Sequence, residues 1–195
     1  MYFGTSVFRL LMEPILIQIS SACLLLWAVF LLLLPLKWLL AVVTAAAIHE
    51  SFHIAVVWFL GGRVRRIRLN PLGAVIEAEK ISGYREAVCA LAGPAGSLLL
   101  GMLIHWFPLL GLCGLVQCCF NLLPVYPMDG GRVLLCLLEG SWPNCADGIV
   151  KAIEITVLLS LFLLAVLLAV KYSLGYFPAF IFLLMTGKAL LRKKP

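Results

Sequence analysis

The sequence holds 195 residues, of which 64% are hydrophobic and only 12% charged. A soluble domain is nearer half apolar and a quarter charged, so this chain cannot supply a soluble surface and takes the lipid bilayer as its solvent. The net charge of +6 does not point to nucleic acid, because the basic residues cluster beside apolar runs. Arg63, Arg65, Arg66 and Arg68 share one short segment, and Lys188, Arg192, Lys193 and Lys194 lie at the end of the chain. That placement marks cytoplasmic loops flanking membrane spans.

In chain order, residues 14–36 form a first apolar stretch, long enough to cross a bilayer as a helix and ended by Pro35 and Lys37. Arg9 precedes it, but no small-residue cleavage site follows, so it reads as a retained span. Residues 38–60 form the second span, which carries His49, Glu50 and His53 and stops at Gly61-Gly62. In the basic segment 61–85, Arg66 to Leu69 alternates at the strand period. Asn70-Pro71-Leu72-Gly73 signals a turn and Val75 to Glu79 a second strand, which together predict a small membrane-surface β-hairpin.

Residues 86–107 read as a third span, with Gly93-Pro94-Ala95-Gly96 allowing close helix contact. A short fourth span over 109–123 runs into a segment broken by Pro124, Pro127, Gly130 and Gly131. Asp129 is expected in its non-helical part. A short cytoplasmic helix over 132–139 and a loop from Ser141 to Asp147 follow, then spans at 150–170 and 175–191. The predicted architecture is an α-helical polytopic membrane protein with about six transmembrane helices. It forms a single domain, 1–195, with a core at 38–138 and a C-terminal helical pair at 150–191. Counting spans puts both termini and the segment 61–85 in the cytoplasm. The seven cysteines include no C-x-x-C pair and read as small apolar residues.

His49-Glu50-Ser51-Phe52-His53 matches H-E-x-x-H. Positions i and i+4 share a helix face, so both imidazoles reach one Zn²⁺, and Glu50 is close enough to contact a water on that metal. A charged residue at a span centre costs roughly 2.5–3.5 kcal/mol on the insertion scale, so Glu50 between two histidines calls for a compensating partner such as a metal. A proton relay or an ion-coupled carrier is the alternative. A catalytic zinc site uses three protein ligands. Asp129, just past the fourth span, is the leading third ligand. His105 is the rival, placed by its position near the outer end of the third span at the wrong depth.

H-E-x-x-H in one span, followed by Asn121, Pro124, Pro127, Asp129 and Gly130 as N-x-x-P-x-x-P-x-D-G in a later one, resembles the site-2 protease family of intramembrane metalloproteases. Gly93-Pro94 after a basic hairpin is similar too. The six-span plan looks most like the bacterial branch that includes the stage IV sporulation peptidase. The resemblance implies that His49, His53 and Asp129 bind Zn²⁺, that Glu50 is the general base and later the proton donor, and that Asn121 holds substrate or polarises its carbonyl. It implies an intramembrane zinc endopeptidase in regulated intramembrane proteolysis. Its expected substrate is a membrane-tethered regulator such as a sigma-factor precursor, with a membrane regulatory protein as a further partner. The cell membrane or the membrane around the forespore is the implied location, with the active site toward the cytoplasm. Two positions depart from the family pattern: bulky Phe52 stands where a small residue is frequent, and Ser97 where asparagine is frequent. The basic segment 61–80 is further expected to receive an extended substrate as an added strand.

Overall fold

The computed structural model describes residues 16–70, 73–79, 81, 83–173 and 175–191. Ser20 divides the first apolar stretch. Its backbone is extended, and its side chain accepts a hydrogen bond from the Cys23 backbone N–H at 3.2 Å. This is an N-cap, and it satisfies one of the donors that a helix leaves open at its start. Helix α1 begins beyond it and runs over Ser21–Leu33, while Leu16–Ile19 forms strand β1. The expected single helix over 14–36 is therefore corrected to a strand and a 13-residue helix; residues 14 and 15 lie outside the described residues, as do Arg9 and Arg192 to Lys194.

Pro35, which cannot donate a helical hydrogen bond, precedes α2 over Leu36–Phe59. The chain leaves α2 through Gly61, whose φ of 74° suits glycine alone among common residues. Strands β2 (Arg63–Asn70) and β3 (Gly73–Glu79) then form the predicted hairpin. Sequence reading missed its third member. β1 pairs in parallel with β2, from Leu16 opposite Arg66 to Ile19 opposite Leu69, giving the order β1-β2-β3. Thus, among the described residues, β2 is the central strand with both edges paired, and β1 and β3 are the edges an added strand could join.

A bulge between Val64 and Arg66 explains how a strand with four arginines still buries a face. Without it, Val64 and Ile67 would point to opposite faces. The extra residue, Arg65, shifts the parity, so both pack with Ile76 against Val57 of α2 and against Cys89. Arg66 and Arg68 take the other face and pair with Glu77.

The remaining helices are α3 (Tyr84–Met102), α4 (Pro108–Asn121), α5 (Asp129–Ser141), α6 (Ala146–Tyr172) and α7 (Phe177–Leu191). Two boundaries correct the expectations. Asp129 opens α5 and does not lie in the non-helical segment before it. Asp147 sits in the first turn of α6, not in a loop. Small residues set the contact between α3 and α4: a Cβ on Gly101 would meet the Leu115 side chain at 2.4 Å, and one on Gly114 would meet the Ser97 carbonyl oxygen at 2.7 Å.

Two of these helices, α2 with 24 residues and α6 with 27, are long and apolar enough to cross a membrane. The expected count of about six transmembrane helices is not established by the described helices. At 1.5 Å per residue, α1, α4 and α7 reach about 20–23 Å, short of a hydrocarbon core near 30 Å. Ser20 and Pro35 bound α1, and Pro108 and the segment after Asn121 bound α4. The outward faces of α1, α6 and α7 still expose Leu25, Leu32, Leu163, Leu167, Phe180 and Leu184. So much exposed apolar surface is incompatible with water and belongs in lipid; this is a membrane protein.

Candidate metal centre

One turn of α2 separates His49 from His53, and both are buried. Their Nε2 atoms stand 3.2 Å apart. Asp129 reaches the pair from the first residue of α5, with Oδ2 at 3.1 Å from His49 Nε2 and 3.3 Å from His53 Nε2. The Asn121–Met128 segment delivers it by folding back over the start of α5. That return brings the backbones into contact, because a Cβ on Gly130 would lie 2.2 Å from the Leu122 carbonyl oxygen. Val125 and Met128 anchor the turn in a core with Leu158 of α6 and Ala189 of α7.

α3 forms the floor. A Cβ on Gly93 would stand 2.2 Å from His53 Nε2 and 2.6 Å from His49 Nε2. A bare backbone is needed at that position, and glycine provides it. Pro94 follows inside the same helix, and Gly96 receives the ring of Phe52, which its own Cβ would meet at 2.6 Å. Phe52 is therefore accommodated by packing on α3.

The hydrogen bonds fix what this cluster can hold. His53 Nδ1 lies 2.7 Å from the Cys89 carbonyl oxygen, which can only accept, so Nδ1 carries a proton. A neutral His53 then presents a bare lone pair at Nε2, facing a carboxylate oxygen. Three electron-rich atoms converging at 3.1–3.3 Å need a shared cation. The spacing suits a metal. A tetrahedral ion with Zn–N and Zn–O bonds near 2.0–2.1 Å separates its ligand atoms by about 3.3 Å. The donor set, two imidazoles and one carboxylate, is also one that zinc accepts. Among the described residues, these three are the group of histidine, cysteine and acidic side chains able to hold an ion together.

Around the three lie the residues able to act on a substrate. Glu50, half-buried, follows His49 on α2. Asn121 ends α4 with Nδ2 at 3.4 Å from His49 Nε2. Arg132, one turn into α5, lies 4.0 Å from Asp129 Oδ1 and donates to Glu86 at the start of α3, at 3.3 Å.

The structure thus brings together His49, His53, Asp129, Asn121 and the helix position of Glu50. It leaves out His105, exposed in the turn after α3, and Glu139, exposed near the end of α5. Sequence reading missed Ser97 and the Cys89 carbonyl as contacts of the two histidines. Ser97 Oγ lies 2.8 Å from His49 Nδ1. The signal for it was helical spacing, since Gly93 and Ser97 share one face of α3.

Residues 19–123, more than half of the chain, match the Peptidase M50B-like family. The chain belongs to this family. Among curated members it is 32% identical over 127 residues to zinc metalloprotease MJ0392 of Methanocaldococcus jannaschii, covering 58% of this chain and 35% of that protein. It is 31% identical over 123 residues to stage IV sporulation protein FB of Bacillus subtilis, covering 55% of this chain and 42% of the relative. A putative zinc metalloprotease, sll0528 of Synechocystis, is 32% identical over 137 residues, 59% of this chain and 36% of its own length. The chain therefore spans well under half the length of the curated relatives it matches. The solved site-2 protease from Methanocaldococcus jannaschii superposes with a TM-score of 0.69 at 22% identity, over 92% of this chain and 91% of that one. This M50B-like chain therefore has the site-2 protease fold.

Proposed function

We propose that this M50B-like chain is a zinc endopeptidase that hydrolyses peptide bonds of membrane-associated proteins. The observation that carries the reading is the convergence of His49, His53 and Asp129 at the ligand spacing of a tetrahedral ion, inside an apolar helical protein. These three residues hold Zn²⁺. The ion supplies Lewis acidity toward water and toward a carbonyl oxygen.

The chain's own groups do the rest. Glu50 accepts a proton from the attacking water and returns it to the leaving amine. Its helix position beside His49 keeps it next to the three ligands without joining them. The Asn121 amide, 3.4 Å from His49 Nε2, donates to the substrate carbonyl and turns it toward the attacking group. Asp129, on the rigid first turn of α5, fixes the third ligand against the two on α2.

The aromatic residues support a multi-pass arrangement with the site toward the cytoplasm. Exposed Trp58, Phe59, Tyr84 and Trp142 cluster by connectivity at one end of the helices, and exposed Trp106, Phe107, Tyr172, Tyr176 and Phe177 at the other. Two such belts mark two membrane interfaces. Arg63, Arg65, Arg66, Arg68, Arg85 and Lys151 all attach to the first end, against Lys37 and Lys171 at the second. His49 and His53 lie in the half of α2 nearer the basic end.

A site inside an apolar helical protein favours a membrane-tethered protein as the substrate. A sigma-factor precursor released from its anchor is the specific instance that similarity to stage IV sporulation protein FB favours. Co-expression with candidate tethered transcription factors tests this, scoring cleavage with Glu50 intact and with Glu50→Gln. Cleavage by both proteins removes Glu50 from the chemistry, and ion flux with no cleavage of any candidate while zinc is bound overturns the reading in favour of an ion-coupled carrier.

A further inference from the structure

Of the two histidines, one is oriented by backbone and the other by a side chain. His53 Nδ1 is held by the Cys89 carbonyl oxygen at 2.7 Å. His49 Nδ1 is held by Ser97 Oγ at 2.8 Å. We propose that Ser97 is a positioning residue for the metal: its hydroxyl accepts the His49 Nδ1 proton, and so fixes the ring with Nε2 bare and aimed at the ion. This rests on the metal-site reading above and adds a residue to it.

Three observations carry the assignment. Ser97 has no exposed surface, and His49 retains only 2% of its own. No solvent water therefore replaces the hydroxyl if it is removed. The surroundings fix where Oγ stands, because α4 presses on this turn: a Cβ on Gly114 would lie 2.7 Å from the Ser97 carbonyl oxygen and 2.7 Å from the Leu100 side chain. Finally, a ring nitrogen with no partner is free to take the proton in either tautomer, and half of that choice puts N–H where the lone pair is needed. With the ion on Nε2 the proton sits on Nδ1, and the Ser97 hydroxyl accepts it there and holds the ring in line, as outer groups around metal-bound histidines do generally.

The same geometry explains why serine is suited to a position where a longer amide would be expected. The 2.8 Å contact is made by an Oγ one bond from Cβ, on a helix drawn close to α2 by Gly93 and Gly96. A longer side chain on this backbone would have to rotate away from His49 or push α3 off α2.

The test is metal affinity of purified wild type, Ser97→Ala and Ser97→Thr in detergent. Zn²⁺ is titrated against a chromophoric chelator, and Co²⁺ is added alone for its visible spectrum. Ser97→Ala is expected to weaken zinc binding on the order of 10–100-fold and to shift the cobalt bands. Ser97→Thr, which keeps the hydroxyl, is expected to return both toward wild type. If the alanine protein does not fold, Ser97→Val against Ser97→Thr makes the same comparison at equal volume. Equal affinity and spectra in the presence and absence of the hydroxyl overturn the role of Ser97 alone. A wild type that binds neither metal stoichiometrically overturns both this role and the zinc reading beneath it.

Discussion

Gly93 and His53 are in backbone-to-ring contact: a single added methyl at Gly93 would stand 2.2 Å from His53 Nε2, well inside any tolerated separation. The ring cannot retreat, because Nδ1 is tied to the Cys89 carbonyl oxygen on the same helix. Gly93→Ala is therefore expected to displace the metal ligands while favouring the helix that contains it. Zinc affinity should fall at least about tenfold, on the scale seen when ligand orientation is lost. Gly140→Ala on α5 is the control, because a Cβ there meets nothing within 4 Å. Metal analysis of the two purified variants checks the contrast, and normal zinc in Gly93→Ala would place the ion elsewhere.

Glu50→Gln should abolish cleavage and leave zinc in place. Glu50 is next to His49 in sequence, yet the converging ligand atoms come from His49, His53 and Asp129. The glutamine keeps size and hydrogen bonding but cannot take up a proton at neutral pH. Loss of general acid–base catalysis typically costs about 10²–10⁴ in rate. Peptidase assays beside metal analysis decide it, and wild-type cleavage by the variant would remove Glu50 from the chemistry.

Asp129→Ala should lower both zinc occupancy and activity, whereas His105→Ala should spare both. Asp129 is buried, and its Oδ2 contacts both ring nitrogens. Removing it leaves two ligands, where a catalytic zinc site normally uses three from the protein. His105 is exposed in the turn after α3. Metal content of the two variants separates them, and a zinc-replete Asp129→Ala protein would mean another group completes the site.

The candidate site was readable in the sequence wherever its geometry was local. His49 and His53 lie together because a helix repeats every 3.6 residues, a fact that needs no tertiary structure. Asp129 could be nominated from its place after a proline-broken helix, but its position as the first residue of α5 could not, since Gly130 and Gly131 read equally well as helix breakers. They are instead the small residues that let α5 start against the backbone of Leu122 and Val125. The Cys89 carbonyl was hidden because a backbone acceptor leaves no mark in the sequence, whereas Ser97 left only its shared helix face with Gly93. Strand β1 was hidden for a different reason. Four apolar residues beside a long apolar run look like helix, and what makes them a strand is the Ser20 cap and the pairing with β2. Two of the described helices are long enough to span by themselves where the apolar stretches suggested about six, because hydropathy measures how long a stretch is apolar, while caps and prolines decide how much of it is helical.

Substrate entry can be tested on β3. A peptide bond inside a helix is shielded by its own turn and hydrogen-bonded through its carbonyl, so a helical substrate must unwind before attack. Unwound backbone in hydrocarbon costs several kcal/mol for each unsatisfied polar group, and a sheet edge supplies partners for a row of them. The central strand β2 cannot serve, because β1 and β3 occupy both of its sides. Of the two edge strands, β3 is the better placed: Ile76 packs with Val57 of α2 and with Cys89, whose carbonyl holds His53. On any strand, consecutive residues direct their N–H groups to opposite sides. Ile76→Pro and Glu77→Pro therefore remove one donor facing β2 and one facing the open edge. If substrate adds to β3, both prolines reduce cleavage at normal zinc content and normal protein level, and helix-breaking residues near the substrate's cut site speed it. If the hairpin only sets topology, the proline on the open side is silent, and substrate helicity has no effect on rate. That outcome would end the strand-entry mechanism and leave the metal site untouched.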